Sequence, residues 1–244
     1  VTQQECIKIS KLLAKRVGNE LNIPVYLYEQ SAQILERKNL SFIREGEYEG
    51  LSKKIIKSKW KPDFGPSEFN SKSGATVIGA RDFLIAYNIN LNTKDERLAT
   101  DIAFELRESG RSKRIPNPDS PNLLDGEIVR TKEGKPIKVP GLFKDLKGVG
   151  WYLPELKRAQ ISLNFNNFNE STLHDVFDKA CELAQDRGAR VTGSELVGLV
   201  PMEAMLMAGR HYLKKQRYTT GIPLSDIIEV AIQSLGLNDI VPFK

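Results

Sequence analysis

The stretch PDFGPSEFNSKSGATVIGARDFLIAYNINL, residues 62–91, joins a polar loop to an apolar strand and decides the fold on both sides of it. Its first half contains turn residues and small polar side chains, whereas its second half is strand-like. The strand-like half nevertheless carries Arg81, Asn88 and Asn90, where a plain core strand would have apolar residues. Two interpretations compete: a surface loop before an edge strand, or a ligand-binding loop with the strand as its floor.

Downstream of this stretch, the predicted elements follow the order of a ferredoxin-like unit. FLIAYNINL predicts a strand, and Thr93 predicts the cap of the helix that follows it. The segments GVGWYL and AQISLNF predict two strands, STLHDVFDKACELAQDRG a second capped helix and ARVTGSELVGLV a fourth strand. This is the βαββαβ order of a split βαβ unit, and two further helices, at 201–216 and 224–235, close the chain.

Upstream of the stretch, the chain contains less sheet. Thr2 and Glu5 have the spacing of a capping box, which predicts an N-terminal helix. The core-facing stripe of this helix is predicted to be Cys6, Ile9, Leu13, Val17 and Leu21. Pro24 ends the helix, VYLY predicts a short strand, and GEYEGLSKKIIKSKW predicts a partly helical segment. The first eighty residues therefore supply too few strands for a closed α/β layer.

Residues 111–147 form a long segment rich in Pro, Gly and charge, with nine basic and five acidic residues. A loop of this length within a domain is usually functional or irregular. It is either a solvated insertion or a basic flap over an anionic ligand.

Bulk composition excludes several classes of protein. The 244 residues carry a net charge of +5, which would suit an anionic ligand but is spread along the chain. Cys6 and Cys181 form no CxxC motif, which argues against a disulfide framework or a zinc ribbon. No apolar run approaches the roughly 18 residues of a membrane span. We therefore expect a cytoplasmic protein with no membrane partner.

Common catalytic and nucleotide-binding motifs are missing. GATVIGAR lacks the Lys-Ser/Thr of a phosphate loop, and GVGWYL lacks the third glycine of a dinucleotide fingerprint. His174 and His211 are assigned structural or surface roles, and no carboxylate–histidine spacing predicts a metal site. Tyr87, Trp151 and Tyr152 allow an RNA-binding sheet as a third possibility, but the basic–Gly–aromatic pattern of that module is absent. No nucleic-acid partner is expected.

Residues 63–74 are the strongest candidate for ligand binding. Gly65 and Gly74 can adopt positive φ, Pro66 stiffens the turn, and short polar side chains follow. Backbone N–H groups among small residues can form a concave anion site, which Lys72 and Arg81 would complement. From these residues alone, a ligand loop and an ordinary connector both remain open. The same holds for Glu195, which either joins a buried ion pair or contacts a substrate or a dimer partner.

Eight segments spread along the chain carry a resemblance to a known family. They are PVYLY, IREGEYEGL, PDFGP, GATVIGARDFLIAYNINL, GVGWYL, AQISLNF, GSELVGLVP and SLGL, in this order. Together they resemble glutamate formiminotransferase, also called glutamate formimidoyltransferase. This family transfers a formimino group from N-formiminoglutamate to N5 of tetrahydrofolate in histidine degradation.

The resemblance implies an α/β (α+β) fold of two ferredoxin-like βαββαβ subdomains, with folate in a cleft between them. Residues 1–80 would be the C-terminal part of the first subdomain, and residues 81–244 the second subdomain with the 111–147 insertion. The folate-binding segment of the family maps onto one run of residues: Gly65, Pro66, Ser67, Glu68, Phe69, Asn70, Ser71, Lys72, Ser73 and Gly74. Arg81 would contribute charge, and Glu195 would support the structure.

Two departures qualify the expected activity. The catalytic histidine of the family lies in a His-Pro-Arg segment that would precede Val1, and neither His174 nor His211 replaces it. The first subdomain is thus expected to be incomplete, and this chain alone inactive, with no catalytic residue of its own. The 111–147 insertion is also longer than the family pattern.

The expected partners follow from the same resemblance. Tetrahydrofolate, with or without a polyglutamate tail, would be the co-substrate, N-formiminoglutamate the donor, and the assembly a homodimer without metal. The alternative is a non-catalytic folate-binding relative or partner subunit that lacks the catalytic segment. A formyl donor in place of the formimino donor also stays open.

Overall fold

The structure is a computed structural model that describes residues 2–120 and 122–243, and its internal packing divides the chain into two units. Unit 1 ends at Asp82 and unit 2 begins at Phe83. Each unit has its own helices, strands and apolar core. Within the described residues, no helix combines the length and the apolar composition needed to cross a membrane.

Unit 1 follows the predicted helix–strand–helix order. Its elements are α1 (Gln3–Glu20), β1 (Val25–Glu29), α2 (Leu40–Arg44), α3 (Glu47–Ile55) and β2 (Thr76–Ala80). The strands β1 and β2 pair in parallel, with Val25 opposite Thr76. In its described residues unit 1 thus has two strands, fewer than the four of a ferredoxin-like sheet.

The capping box at the start of α1 is confirmed, but the predicted core-facing stripe is wrong apart from Val17, which packs against the apolar core of unit 1. The Thr2 side chain accepts from the backbone of Glu5, whose carboxylate accepts from the backbone of Thr2. Small residues form the buried face of α1: Ser10, Ala14 and Gly18. Ile9 is instead 58% exposed. Small residues are needed there because the chain passes so close to α1 that a Cβ on Gly18 would lie 2.6 Å from the nitrogen of Gly65.

A buried ion pair connects the middle of unit 1 to the start of the loop that leads to β2. Nη1 of Arg37 lies 2.8 Å from Oδ2 of Asp63, and the two side chains are 3% and 5% exposed. The same carboxylate oxygen accepts from the backbone N–H of Leu27 at 2.8 Å. Nη2 of Arg37 donates to the carbonyl oxygens of Lys59 and Lys61. The pair therefore fixes three chain segments to one another.

Replacing the guanidinium should destabilise unit 1 strongly. In Arg37→Ala, Asp63 stays buried without its cation, so we expect a loss of about 3–5 kcal/mol in the free energy of unfolding. Urea unfolding followed by circular dichroism measures this loss. Arg16→Ala is the matched control: it removes an exposed ion pair with Glu20 and should cost less than about 1 kcal/mol. Equal losses in the two variants would show that the buried ion pair stabilises unit 1 no more than the exposed pair does.

Unit 2 contains the predicted βαββαβ order with a folded insertion and two C-terminal helices. Its elements are β3 (Ile85–Leu91), α4 (Glu96–Leu106), β4 (Arg111–Ser112), β5 (Arg114–Ile115), β6 (Glu127–Ile128), β7 (Lys138–Val139), β8 (Leu146–Leu153), β9 (Arg158–Phe165), α5 (Leu173–Asp186), β10 (Val191–Val197), α6 (Met202–Lys215) and α7 (Leu224–Ser234). The main sheet has the order β10-β3-β9-β8, and all neighbours are antiparallel. This confirms the ferredoxin-like prediction and the α+β class.

The two faces of this sheet differ because side chains alternate along each strand. In β3, the residues Ile85, Tyr87, Ile89 and Leu91 belong to the main apolar core with α4 and α5. The close approach of α4 to β8 depends on Gly150, since a Cβ there would lie 2.1 Å from the nitrogen of Thr100. One detail of the prediction is wrong: Asp95, not Thr93, caps α4, and its carboxylate accepts from the backbone of Arg97 and Leu98.

The insertion at 111–147 is not a structureless loop. Its short strands form two antiparallel ladders, β4 with β7 and β5 with β6. Arg111 anchors it to α4 through Asp101 at 2.6 Å and Glu105 at 3.0 Å. Arg187, at the end of α5, contacts the same two carboxylates. The insertion is therefore tied to the body of unit 2 by a partly buried network of four charges.

Candidate functional site

The candidate loop, residues 65–74, is held tightly at its start. Val25 exchanges backbone hydrogen bonds with Asp63 and Phe64, which precede the loop. Gly65 has φ of +79°, and a Cβ there would lie 2.2 Å from the carbonyl oxygen of Ile23. Only glycine fits this conformation and this contact. The base of the loop is thus held against the start of β1.

The far end of the loop is closed by Asn70. Its Oδ1 accepts from the backbone N–H groups of Lys72 at 2.9 Å and Ser73 at 3.1 Å. Its carbonyl oxygen accepts from the N–H of Gly74 at 2.7 Å, where φ is +63°. These three N–H groups are therefore occupied within the protein. The predicted anion site of backbone N–H groups is not open at this end, and the side chains of Ser71, Lys72 and Ser73 are what it offers to a ligand.

An aromatic residue of α3 supports the loop from one side. The hydroxyl of Tyr48 donates to the carbonyl oxygen of Ser71 at 2.7 Å, and its ring lies 5.4 Å from that of Phe69. The Tyr48 ring also contacts the position a Cβ would take on Gly74. Half of Tyr48 remains exposed. The segment IREGEYEGL contributes to the family resemblance, but no local pattern in the sequence places Tyr48 against a loop about twenty residues away.

A cavity of about 350 Å³ opens beside this end of the loop, entirely within unit 1. It is lined by Tyr26, Ile43, Arg44, Glu47, Tyr48, Leu51, Ser73, Gly74, Ala75, Thr76 and Val77. Apolar side chains form most of the wall, and a few polar groups converge on it, which is the usual composition of a small-molecule site. Arg44 and Glu47 lie 3.3 Å apart at its exposed edge.

The floor of the cavity carries a tyrosine that stays protonated. Burial raises the pKa of Tyr26 to about 12, with Arg37 lowering it and Asp63 raising it. Its hydroxyl donates to the carbonyl oxygen of Trp60 at 2.6 Å. Tyr26 is thus a rigid neutral wall rather than an acid–base group at neutral pH.

The structure brings ten of the eleven predicted site residues into one loop and separates the eleventh. The side chains of Ser67, Glu68, Ser71, Lys72 and Ser73 are exposed, whereas Pro66, Phe69 and Asn70 are half-buried and Gly74 is buried. The loop precedes β2 and Arg81 follows it. Because the five residues of β2 span roughly 16 Å, Arg81 lies at the far end of the strand from the loop. Arg81 is exposed, and its guanidinium contacts the carbonyl oxygen of Asp82 at 3.3 Å.

Unit 2 has a largely buried polar network on the face of its sheet opposite the main core. Glu195 accepts from the side-chain amides of Asn88 at 2.8 Å and Gln160 at 3.0 Å. Gln160 also donates to Asn90 and accepts from the indole of Trp151. Among the ion pairs of the described residues, none includes Glu195, so its expected ion-pair partner is replaced by two amides. The expectation that Glu195 supports the structure agrees with these contacts.

The aromatic residues considered for RNA stacking do not form a platform. Tyr87 is fully buried and its ring packs 6.0 Å from that of Phe165. Trp151 is 41% exposed, on the sheet face with Gln160. Since an RNA-binding sheet needs its central aromatic side chains exposed, Tyr87 cannot serve in that role.

Two family models match this chain, and together they cover nearly all of it. The model described as "Formiminotransferase domain, N-terminal subdomain" matches residues 1–81, and the model "Formiminotransferase domain" matches residues 86–244. The interval between them contains the boundary between unit 1 and unit 2.

Curated relatives agree with the family models. A formimidoyltransferase-cyclodeaminase from Dictyostelium discoideum is 42% identical over 239 residues, which are 98% of this chain and 40% of the relative. A glutamate formimidoyltransferase from Thermoplasma acidophilum is 35% identical over 230 residues, 93% of this chain and 66% of the relative. A glutamate formimidoyltransferase from Streptococcus pyogenes serotype M1 is 34% identical over 218 residues, which are 89% of this chain and 63% of the relative.

The chain thus spans 40% of the length of the cyclodeaminase-fused relative and about two thirds of the two shorter ones. The match extends through both units, including the candidate loop of unit 1 and the antiparallel sheet of unit 2. The chain belongs to the formiminotransferase domain family.

Proposed function

We propose that this protein transfers a formimino group from N-formiminoglutamate to N5 of tetrahydrofolate, and that residues 65–74 hold the folate. The observation that carries the proposal is a rigidly based loop with exposed donors beside a mostly apolar cavity, in a chain that both family models match. The printed names of the relatives support the same reaction class.

The chemistry of the cavity suits a flat heterocycle with a charged tail. About 350 Å³ is near the lower limit of small-molecule sites, so it would take a ring system rather than a whole folate. Tyr48 offers an aromatic surface, and Thr76 and Ser73 offer hydrogen-bonding groups. Lys72 is exposed on the loop, where it would attract the carboxylates of the glutamate tail. Arg81, at the other end of β2, would act on a more distant part of that tail.

The transfer itself needs a proton carrier. A bond forms between N5 and the formimino carbon, and the bond from that carbon to the glutamate nitrogen breaks. N5 must lose a proton and the leaving nitrogen must gain one, a general acid–base role suited to histidine. The two histidines of this chain, His174 and His211, belong to α5 and α6 of unit 2 and lie outside the candidate loop. The expectation that this chain alone is inactive stays a prediction.

Several finer expectations also stay predictions. They are the cleft between the subdomains as the folate site, the role in histidine degradation, the homodimer, the polyglutamate tail and the cytoplasmic location. A non-catalytic folate-binding relative is the second candidate function, since the described loop and cavity account for binding without supplying a proton carrier.

Changing the exposed donors of the loop should weaken folate binding. In the triple variant Ser71→Ala, Lys72→Ala and Ser73→Ala, the Asn70 side chain keeps its backbone contacts, so the loop should hold its shape. We expect the dissociation constant for folinic acid, measured by calorimetry, to rise roughly tenfold or more, about 1.4 kcal/mol.

The matched control for this experiment is Ser52→Ala with Lys53→Ala on α3. It removes the same residue types from exposed positions that do not line the cavity, and should leave the affinity unchanged. Equal weakening in both variants, or no change in either, would remove the loop from the folate site. Circular dichroism of each variant establishes that it is folded.

The aromatic wall gives an independent test. Tyr48→Ala should weaken folinic acid binding roughly tenfold because it removes the ring surface, whereas Tyr48→Phe loses only the hydrogen bond to Ser71 and should change the affinity about threefold or less. Fluorescence titration of the two variants beside the parent gives both constants. If Tyr48→Ala binds as tightly as the parent, the folate does not use this cavity.

Turnover tests whether this chain contains a proton carrier of its own. Mixed with N-formiminoglutamate and tetrahydrofolate, this 244-residue chain should bind both without forming product, because it lacks the histidine of the family pattern. Mass spectrometry of the folate detects the formimino adduct. Product formation above the uncatalysed rate would instead place a proton carrier among the residues of this chain.

A further inference from the structure

Helices α5 and α6 of unit 2 bring the consecutive residues His174 and Asp175 together with His211, which is distant in sequence. One possible ligand atom from each of His174, Asp175 and His211 lies within 4.8 Å of the other two. The two imidazole rings are stacked, with centroids 4.3 Å apart and planes tilted by 30°. The cluster lies in unit 2 and shares no residue with the candidate loop.

His174 is placed as a ligand whose hydrogen bonds are not filled by the protein. It is 8% exposed, and among the described residues its Nδ1 is a buried polar atom without a hydrogen-bond partner. Its Nε2 is 3.8 Å from Oδ2 of Asp175, too far for a hydrogen bond. A buried imidazole in this condition is costly unless something else binds it.

Asp175 is oriented by the cap of its helix. Its backbone N–H donates to the hydroxyl of Thr172, and that hydroxyl donates to Oδ2 of Asp175 at 2.6 Å. The Asp175 side chain is 54% exposed, so the cluster is open to water on this side. The carboxylate is thus held near both imidazoles while one face of the cluster remains accessible.

His211 has the outer partner that is typical of a metal-binding histidine. Its Nε2 lies 3.2 Å from Oδ2 of Asp178, and Asp178 also accepts from Tyr212 and Lys215. A carboxylate on one ring nitrogen fixes the ring and leaves the other, Nδ1, for a metal ion.

We propose that His174, Asp175 and His211 form a binding site for a divalent transition-metal ion of the Zn²⁺ class, with water in the remaining position. Two imidazoles and one carboxylate are ligands that Zn²⁺ accepts, and three protein ligands with one open position form a common zinc arrangement. The bound ion would join α5 to α6 and stabilise unit 2 by mass action. This proposal differs from the sequence-based expectation of no metal. The sequence does not show that His211 lies beside His174 and Asp175.

Zn²⁺ binding to the full 244-residue chain tests the proposal, with Cys6→Ser and Cys181→Ser in every sample so that no thiol contributes. Calorimetry should give a dissociation constant on the order of micromolar, equivalent to about 8 kcal/mol. Zn²⁺ should raise the thermal midpoint, whereas Mg²⁺, which prefers oxygen ligands, should not.

His211→Phe is the informative variant because His211 is partly exposed, and the aromatic ring keeps the stacking against His174. We expect it to weaken Zn²⁺ binding more than about a hundredfold, and Asp178→Asn to weaken it by about 10- to 100-fold through the orientation of His211. Glu182→Gln, on the exposed part of α5, is the matched control and should leave the affinity unchanged.

Co²⁺ in place of Zn²⁺ supplies a spectroscopic readout. The visible absorption of bound Co²⁺ should be lost in His211→Phe and retained in Glu182→Gln. The same Zn²⁺ affinity in His211→Phe as in the control, or no binding below millimolar concentration by the folded parent, would overturn the proposal. Folinic acid binding should be unaffected by His211→Phe, so failure here and failure of the proposed folate site are separate outcomes.

Discussion

The buried ion pair between Arg37 and Asp63 is the interaction on which the candidate loop depends. One carboxylate oxygen receives both the guanidinium and the backbone N–H of Leu27, and the guanidinium holds two carbonyl groups of the preceding turn. Because a buried charge without these partners is costly, Asp63 holds the start of the loop against β1. The exposed part of the loop therefore starts from a fixed point, although its own side chains reach into solvent.

Unit 2 achieves rigidity by a different route. Its four-stranded sheet has an apolar face against α4 and α5, and glycine at position 150 lets α4 lie close to β8. The opposite face is held by hydrogen bonds among amides and the carboxylate of Glu195. A fully connected polar network of this kind orders side chains that would otherwise be free to move. The polar face of the sheet is thus an ordered and largely buried network.

Local rules account for most of the fold and for part of the site. The capping box of Thr2 and Glu5, the alternating residues of β3 and the positive φ of Gly65 and Gly74 each depend on neighbours within a few positions. Helical periodicity, however, misidentified most of the buried face of α1. A helical stripe identifies an apolar face, but the close approach of Phe64 and Gly65 requires small residues instead, so Gly18 faces inward.

The sequence by itself determined the order of the elements, the position of the loop and the family resemblance, because these depend on residue types in consecutive positions. Only the tertiary structure decided that Tyr48 supports the loop, that Arg81 lies beyond the far end of β2, and that His174 meets His211. Each of these relations joins or separates residues through the packing of different elements. No local pattern reports such distances, since they are set by how helices and strands pack after each has formed.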